Sequence, residues 1–229
     1  MNENPYHKFL LRGHGDTVRD LAARGRTLVS GSYDAHVRVW DIITGECKWV
    51  FTGHAERGLF FLGPLNSTAV LTLQPHLVYS VVLDPTRNIV CSSSEDRTVR
   101  VWDLNTGAQR FMLTGHTSRV DLLELSASHL VSASADSTLR VWDPDTGEMK
   151  HTLAAHTGPI TCFQHGESKV LTGSKGTIKM WDLNNGSVVR DLFTGMADVQ
   201  RVTFDGRWCA AASRHEDRAF MHIWDFGTG

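Results

Sequence analysis

Serine, histidine and aspartate side chains recur in this sequence at a constant spacing, each time followed by a tryptophan. One set is His14, Ser30, Asp34 and Trp40, and another is His116, Ser132, Asp136 and Trp142. The first three types form a nucleophilic triad when a histidine takes the proton of a serine and an acid orients the histidine. A catalytic set occurs once in a cleft, whereas this set returns in each clear copy of a longer pattern. The recurrence therefore favours a structural role.

The four residue types suit a buried chain of hydrogen bonds. An indole N–H only donates, a hydroxyl donates and accepts, an imidazole passes a bond on, and a carboxylate accepts. We call each such set a clip. A third clip could be built from His54, Ser92, Asp96 and Trp102.

The clips belong to a repeat. Three similar strings end at Asp41, Asp103 and Asp143, and they read S-G-S-Y-D-A-H-V-R-V-W-D, S-S-S-E-D-R-T-V-R-V-W-D and S-A-S-A-D-S-T-L-R-V-W-D. Weaker copies end at Asp182 and Asp225. Three of the four intervals between the tryptophans are close to the period of roughly 40 to 45 residues seen in WD repeats. The chain thus resembles the WD-repeat family. The resemblance implies an all-β propeller of five four-stranded blades, an incomplete portion of an eight-bladed ring.

The last two copies and one loop depart from the pattern. Lys175 stands where the other copies have Asp, so the fourth clip is expected to lack its acceptor, and Gly195-Met196 replaces Gly-His in the fifth. Both blades should be less stable than the others. Residues 55–77 are an apolar insertion within an otherwise single 1–229 propeller fragment. The alternatives for it are a functional lid or, more simply, a disordered insertion or a translated non-coding segment, since so long an apolar loop outside the core would favour aggregation.

Short alternating strands separated by turns fill each repeat. Glycines such as Gly45, Gly147 and Gly186 are placed to accept the positive φ of a tight turn. Phe9–Leu11 has the pattern of an outer strand, and pairing it with the last triplet of strands would close the ring.

Composition excludes several functional classes. The net charge is −2 and there is no long run of Lys or Arg, so neither nucleic acid nor an anionic membrane is an expected partner. The four cysteines form no C-x-x-C pair, which favours reduced thiols, and no metal or cofactor is expected. No phosphate loop or paired-carboxylate cleft is present, so an enzyme is not expected. The chain is interpreted as a soluble protein of the nucleus and cytoplasm.

Sequence outside the shared repeat motif indicates a particular group within the WD-repeat family. Three short segments resemble the C-terminal blades of the fungal cell-division-control F-box/WD-repeat family. They are E-N-P-Y at 3–6, L-R-G-H followed by V-R within 11–19, and S-G-S-Y-D at 30–34. That family supplies substrate receptors for SCF ubiquitin ligases. Its F-box binds a Skp-type adaptor, and its propeller holds phosphorylated degrons with arginines. The notable difference is that no F-box is found in these 229 residues.

The resemblance implies a phosphopeptide-binding set. Arg19 stands where the family has a phosphate-binding arginine, and Tyr33 stands where it has a pocket tyrosine. Arg57 and Tyr79 correspond to a second pair of pocket residues. Further family arginines belong to blades outside this chain, and the place of a pocket tryptophan falls near Gln200. The alternative is a WD-repeat scaffold that binds its partners without phosphate. Arg38, Arg100, Arg140 and Lys179, each two residues before a Trp, are interpreted as structural.

Overall fold

The structure is a computed structural model, and it describes residues 7–55, 76–154, 156–215 and 218–227, with the side chains of 55 and 193–197 left aside. These residues form β-strands, one short 3-10 helix and turns, and no α-helix occurs among them. The prediction of an all-β fold built from repeated antiparallel sheets is confirmed. Most of the apolar insertion lies outside the described residues.

Seventeen strands are present in the described chain. In chain order they are β1 Val18–Arg24, β2 Thr27–Ser32, β3 Val37–Asp41, β4 Cys47–Phe51, β5 Val78–Asp84, β6 Ile89–Ser94, β7 Val99–Asp103, β8 Gln109–Leu113, β9 Val120–Leu125, β10 Leu130–Ser134, β11 Leu139–Trp142, β12 Met149–Leu153, β13 Ile160–His165, β14 Lys169–Asp182, β15 Val188–Phe204, β16 Trp208–His215 and β17 Arg218–Asp225.

Three sheets have four strands each in sequential order, β1 to β4, β5 to β8 and β9 to β12. This order follows from the short turns, because antiparallel neighbours need only a few connecting residues. Strands β6 and β10 are buried along their whole length, and β2 is buried in its last four residues. The outer strands β4, β8 and β12 share one alternating pattern that ends in a buried residue.

The fourth and fifth copies share one sheet, β13 to β17, where two separate blades are predicted. Strand β14 pairs with β13 through its first half and with β15 through its second half. The chain reverses within β14 at Gly176, whose φ is 77°, and Thr172 Oγ1 donates to the carbonyl of Lys179 across that reversal. This turn is shorter than the one between Ser134 and Thr138, so the strand ladder continues through it. The last strand, β17, pairs only with β16 and exposes Met221 and Ile223.

The described chain divides into two compact units. The first comprises residues 1–94 and 100–110, and the second comprises 95–99 and 111–229. Valines of the strands, with Phe51 and Trp102, form a core of the first unit. In the second, one core surrounds Leu139 and Trp181, and another surrounds Met180 and Val202. The prediction that Phe9–Leu11 forms an outer strand is wrong, because residues 7–14 belong to no strand.

A ring lies over a turn glycine at four places, which we call ring junctions. The glycines have φ between 70° and 78°, and the ring of an earlier residue occupies the space in which a Cβ would stand. The pairs are Phe9 with Gly45, Trp49 with Gly107, Phe111 with Gly147, and His151 with Gly186. Trp49 also donates from Nε1 to the carbonyl of Leu104 at 2.8 Å. Each glycine thus provides both a left-handed conformation and a surface for a ring.

Gly147→Ala should destabilise the protein more than Gly25→Ala. Both positions have positive φ, which costs a non-glycine residue about 1 to 2 kcal/mol. Only at Gly147 would the new methyl group also meet a ring, since the Cβ would lie 2.8 Å from Phe111, whereas nothing lies within 4 Å at Gly25. Urea unfolding of the two variants measures the difference, expected at about 1 to 2 kcal/mol. Equal losses would contradict the packing role of the glycine.

Candidate functional site

The clips form as continuous hydrogen-bond chains in the first and third copies. In the first, Trp40 Nε1 donates to Ser30 Oγ at 2.9 Å, while His14 bonds to Ser30 at 2.7 Å through Nε2 and to Asp34 at 2.8 Å through Nδ1. In the third, the corresponding distances are 2.9, 2.8 and 2.9 Å. The ionised carboxylate can only accept, so the histidine Nδ1 carries the hydrogen and donates to the aspartate. In the neutral imidazole Nε2 is then the acceptor, and the serine hydroxyl donates to it.

The clip serines are not accessible to a substrate. Ser30 is 3 % exposed and Ser132 is fully buried. A serine nucleophile must reach a substrate carbonyl beside an oxyanion site, and neither hydroxyl is open to solvent. The clips therefore act on stability, because each ties the residue that begins a repeat to the two strands that follow it.

The second copy forms the same bonds to its serine, and the fourth copy varies the scheme. His54 Nε2 bonds to Ser92 Oγ at 2.8 Å, and Trp102 donates to the same hydroxyl at 2.9 Å. In the fourth copy, His156 Nε2 and Trp181 Nε1 both bond to Thr172 Oγ1, at 2.7 and 2.8 Å.

The fourth clip lacks the carboxylate acceptor, as the Lys175 position predicts, but its histidine is not left without a partner. Thr177 Oγ1 bonds to His156 Nδ1 at 2.8 Å and so replaces the missing carboxylate of the Lys175 position. The turn before Thr177 is shortened, and this brings its hydroxyl to the histidine. In the fifth copy, Ala211 pairs with His222 where Ser30 pairs with Arg38, so an alanine occupies the position of the clip hydroxyl.

Charge distinguishes the third clip from the fourth. Burial raises the pKa of Asp136, but bonds from the Thr138 hydroxyl, the Thr117 N–H and His116 outweigh it and lower the pKa to about 2. Burial lowers the pKa of His116, although Asp136 opposes that shift. His156 has no such carboxylate, and burial together with the nearby charge of Lys179 lowers its pKa to about 4. The fourth clip thus holds a neutral histidine.

A β-bulge occurs near the start of the first strand of every copy. Each pairing ladder skips one residue there, after the first pair in the first four copies and after the second pair in the fifth. The residues skipped are Arg19, Tyr79, Asp121, Thr161 and Gln200. A bulge residue lies outside the ladder and its side chain is redirected. We call these five positions the bulge positions.

In the first unit, two bulge positions coincide with residues implied by the family resemblance. Arg19 is exposed and makes no hydrogen bond or ion pair with the described residues. Tyr33 is fixed at the adjacent turn, since its N–H donates to the carbonyl of Thr17 at 2.9 Å. The rings of Tyr33 and Tyr79 are in edge contact, with centroids 5.8 Å apart. Arg57 lies outside the described residues.

Asp20 connects these two bulges and is not singled out by the sequence pattern. Its Oδ2 accepts from Ser80 Oγ at 2.8 Å and from the Val81 N–H at 2.9 Å. Asp20 follows Arg19 and Ser80 follows Tyr79, so the bond holds the two bulges at a fixed distance. The signal that could have revealed it is an acidic residue inside a strand whose other members are mostly apolar.

The remaining bulge positions belong to the second unit and carry different chemistry. Asp121 accepts from Arg119 Nε at 2.8 Å. Thr161 donates to the carbonyl of Gly173 at 3.2 Å. Gln200, which is exposed, occupies the bulge where the family resemblance places a pocket tryptophan.

The cations two residues before the tryptophans have structural contacts. Arg140 Nη2 donates to the Gly115 carbonyl at 2.8 Å, and Lys179 is paired with Asp191 at 2.6 Å. Arg38 lies against Gly13, and Arg100 donates to Gln109 at 2.6 Å. These contacts explain the repeated basic residue without a ligand.

Possible metal ligands, membrane-spanning helices and cysteines also bear on the expectations from the sequence. No group of three or more His, Cys, Asp or Glu side chains among them is arranged to hold a metal. None of their helices has the length and apolar character needed to cross a membrane. All four cysteines are unpaired, and burial raises the pKa of the Cys91 thiol to about 12.

Comparison with known proteins identifies the class to which this fold and these clips belong. The chain matches the family "WD domain, G-beta repeat" at residues 4–41, 67–103, 107–143 and 147–182, which is more than half of its length. The chain therefore belongs to the WD-repeat family, whose domains bind other proteins. The fifth copy is outside the matched residues.

Individual relatives refine this assignment. The chain is 41 % identical over 231 residues to cell division control protein 4 of Candida albicans, covering 98 % of the chain and 31 % of the relative. It is 38 % identical over 99 residues to F-box/WD repeat-containing protein sel-10 of Caenorhabditis elegans, covering 43 % of the chain and 13 % of the relative. It is also 30 % identical over 225 residues to regulator of rDNA transcription protein 13 of Saccharomyces cerevisiae, covering 95 % of the chain and 97 % of the relative.

The chain is thus similar to F-box/WD-repeat proteins and spans about a third of the length of the first of these relatives. The match to regulator of rDNA transcription protein 13, by contrast, covers nearly the whole of both chains.

Asp136→Ala should destabilise the protein by about 3 kcal/mol and Thr177→Val by about 1 kcal/mol. The first change removes the acceptor of His116, the Thr117 N–H and Thr138 together, whereas the second removes one hydroxyl bond to His156. Chemical unfolding measures both, and Asp136→Asn, which retains an acceptor oxygen, should fall between them. An equal loss of unfolding free energy in Thr177→Val and Asp136→Ala would contradict the smaller contribution expected of the threonine hydroxyl.

Stability should fall as the pH decreases from about 6.5 to about 4 because of His156. The folded pKa of about 4 is below the ordinary value of 6.5, so the unfolded chain takes up the proton first. The contribution is fully present above pH 6.5 and amounts to at most about 3 kcal/mol, since one pKa unit corresponds to about 1.4 kcal/mol.

Unfolding of His156→Gln across this pH range should show a smaller loss than the wild type. The same substitution at the exposed His215 is the control. A His156→Gln profile that falls as steeply as that of the wild type would contradict the assignment.

Proposed function

We propose that this chain is the substrate-recognition part of an SCF-type ubiquitin ligase receptor and that it binds phosphorylated degrons. The observation that carries the proposal is Arg19, an exposed arginine on a bulge beside the Tyr33 and Tyr79 rings. The similarity to sel-10, which is named as an F-box/WD-repeat protein, supports it.

Arginine suits this task. Its planar guanidinium meets two phosphate oxygens at once and stays charged at any physiological pH. A phosphorylated side chain carries a charge of about −1.5 to −2 at pH 7. The Asp20 carboxylate beside Arg19 already accepts from Ser80 and Val81, so it is held toward β5 by two hydrogen bonds. The Tyr33 hydroxyl supplies a further donor, and the two rings supply an apolar surface for the residue next to the phosphate.

In the full receptor, the adaptor of the Skp type would bind an F-box in another part of the polypeptide. The nucleus and cytoplasm are the compartments proposed for this activity. Arg57 would provide a second phosphate contact. A single described arginine recovers part of the attraction of a larger cluster, so the isolated chain is expected to bind weakly.

A second candidate is a WD-repeat scaffold that binds partners without phosphate. The similarity to regulator of rDNA transcription protein 13 along nearly its whole length favours it, because that relative is not named as an F-box protein. The two candidates differ in whether binding depends on phosphate.

Fluorescence anisotropy with a doubly phosphorylated, proline-directed peptide separates them. Arg19→Ala should weaken binding at least about tenfold, which corresponds to about 1.4 kcal/mol. Arg24→Ala is the matched control, because Arg24 is exposed at the other end of the same strand. The unphosphorylated peptide should bind at least as weakly as Arg19→Ala binds the phosphorylated one. Equal binding of both peptides, or full binding by Arg19→Ala, would favour the scaffold.

A further inference from the structure

The fourth outer strand lacks the ring that the preceding outer strands carry. Trp49 pairs with Val39 and His151 pairs with Val141, in each case the residue before the repeat tryptophan. In the fourth copy the residue before Trp181 is Met180, and its partner is Arg190. Arg190 therefore occupies the position that a ring fills at the ring junctions.

A cavity is present where that ring would lie. It has a volume of about 380 Å³ and is lined by the second unit alone. Met180, which is 5 % exposed, lies at its base. Phe204 and Phe226 line it in edge contact, with ring centroids 6.3 Å apart. Gly206 adds no side chain to the wall, and a Cβ there would meet nothing within 4 Å. The volume is within the usual range of ligand pockets, roughly 300 to 1,000 Å³.

The rim of the cavity is positive. Lys169 and Arg190 both line it, and neither forms an ion pair with the described residues. The guanidinium of Arg190 lies 5.9 Å from the centre of the Phe226 ring. Asp225 is the one acidic residue of the lining, and both its oxygens accept from Arg207, at 2.9 and 3.0 Å. Its charge is thus largely neutralised, and the two other cations remain.

We propose that this cavity binds an aromatic side chain flanked by acidic residues in an extended segment of a partner protein. The ring would take the position that Trp49 and His151 take at their own junctions, between an outer strand and the following turn. The acidic neighbours would meet Lys169 and Arg190. A tryptophan suits the cavity well. Trp49 donates its indole N–H to the carbonyl of Leu104, the residue after the repeat aspartate Asp103. Phe226 follows the repeat aspartate Asp225, so its carbonyl is the corresponding acceptor for a bound tryptophan.

This site is separate from the Arg19 site and does not depend on phosphate. The two can be tested independently, because the cavity is lined by residues of the second unit only, whereas Arg19, Tyr33 and Tyr79 belong to the first.

The test uses the whole chain and a fluorescein-labelled peptide, Gly-Ser-Asp-Trp-Glu-Ser-Gly. Anisotropy should rise with wild-type protein, and replacement of the peptide tryptophan by alanine should weaken binding at least about tenfold. Replacement of its two acidic residues by lysine should do the same. The Met180 methyl resonance should shift on titration, which locates the ring in the cavity.

Arg190→Trp is the decisive variant. It supplies the missing ring from within the chain, so it should raise the melting temperature and reduce peptide binding at least about tenfold. Lys169→Glu, an exposed rim change that leaves the core intact, should also weaken binding. Arg19→Ala should leave binding of this peptide unchanged. If Arg190→Trp and Lys169→Glu bind like the wild type, or if the alanine peptide binds equally well, the proposal fails.

Discussion

One buried hydroxyl in each clip joins three separate pieces of the chain. Ser30 accepts from an indole in the third strand of its sheet and donates to the histidine that begins the repeat, and Ser132 does the same in the third copy. A hydroxyl is suited to this position because it is small and has both a donor and acceptors. The loss of one member leaves the other buried groups unsatisfied, so the clips make each repeat cooperative.

The second constraint is steric. At the ring junctions a glycine in the left-handed region accepts a ring, and the two requirements reinforce each other, because a Cβ would be strained by the backbone and would also overlap the ring. Where the ring is replaced by Arg190, the packing ends and a charged cavity remains. A single substitution in a repeat thus converts a structural contact into a potential binding site.

Much of the fold could be predicted from the sequence, because the spacing of His, Ser, Asp and Trp reports directly on contacts that recur in space. The turn glycines were predictable for the same reason. The role of Thr177 was not predictable, because it depends on a shortened turn that brings the threonine hydroxyl to His156. The continuous sheet of the fourth and fifth copies was not predicted either, and it arises from the long strand β15, which pairs with β14 at one end and with β16 at the other. Asp20 and the bulges were also missed, because a bulge depends on pairing between strands and leaves no periodic mark in the sequence.

The bulges place five side chains outside the hydrogen-bond ladders of the sheets. The same backbone geometry carries five different chemical groups. They are the cation of Arg19, the phenol of Tyr79, the acid of Asp121, the hydroxyl of Thr161 and the amide of Gln200. A bulge residue contributes no rung to the ladder, so the exposed ones, such as Arg19 and Gln200, can be exchanged at little cost in folding free energy. A repeat fold with such positions can therefore acquire new specificities by drift at a few sites, and the same sites are the natural choice for a combinatorial library.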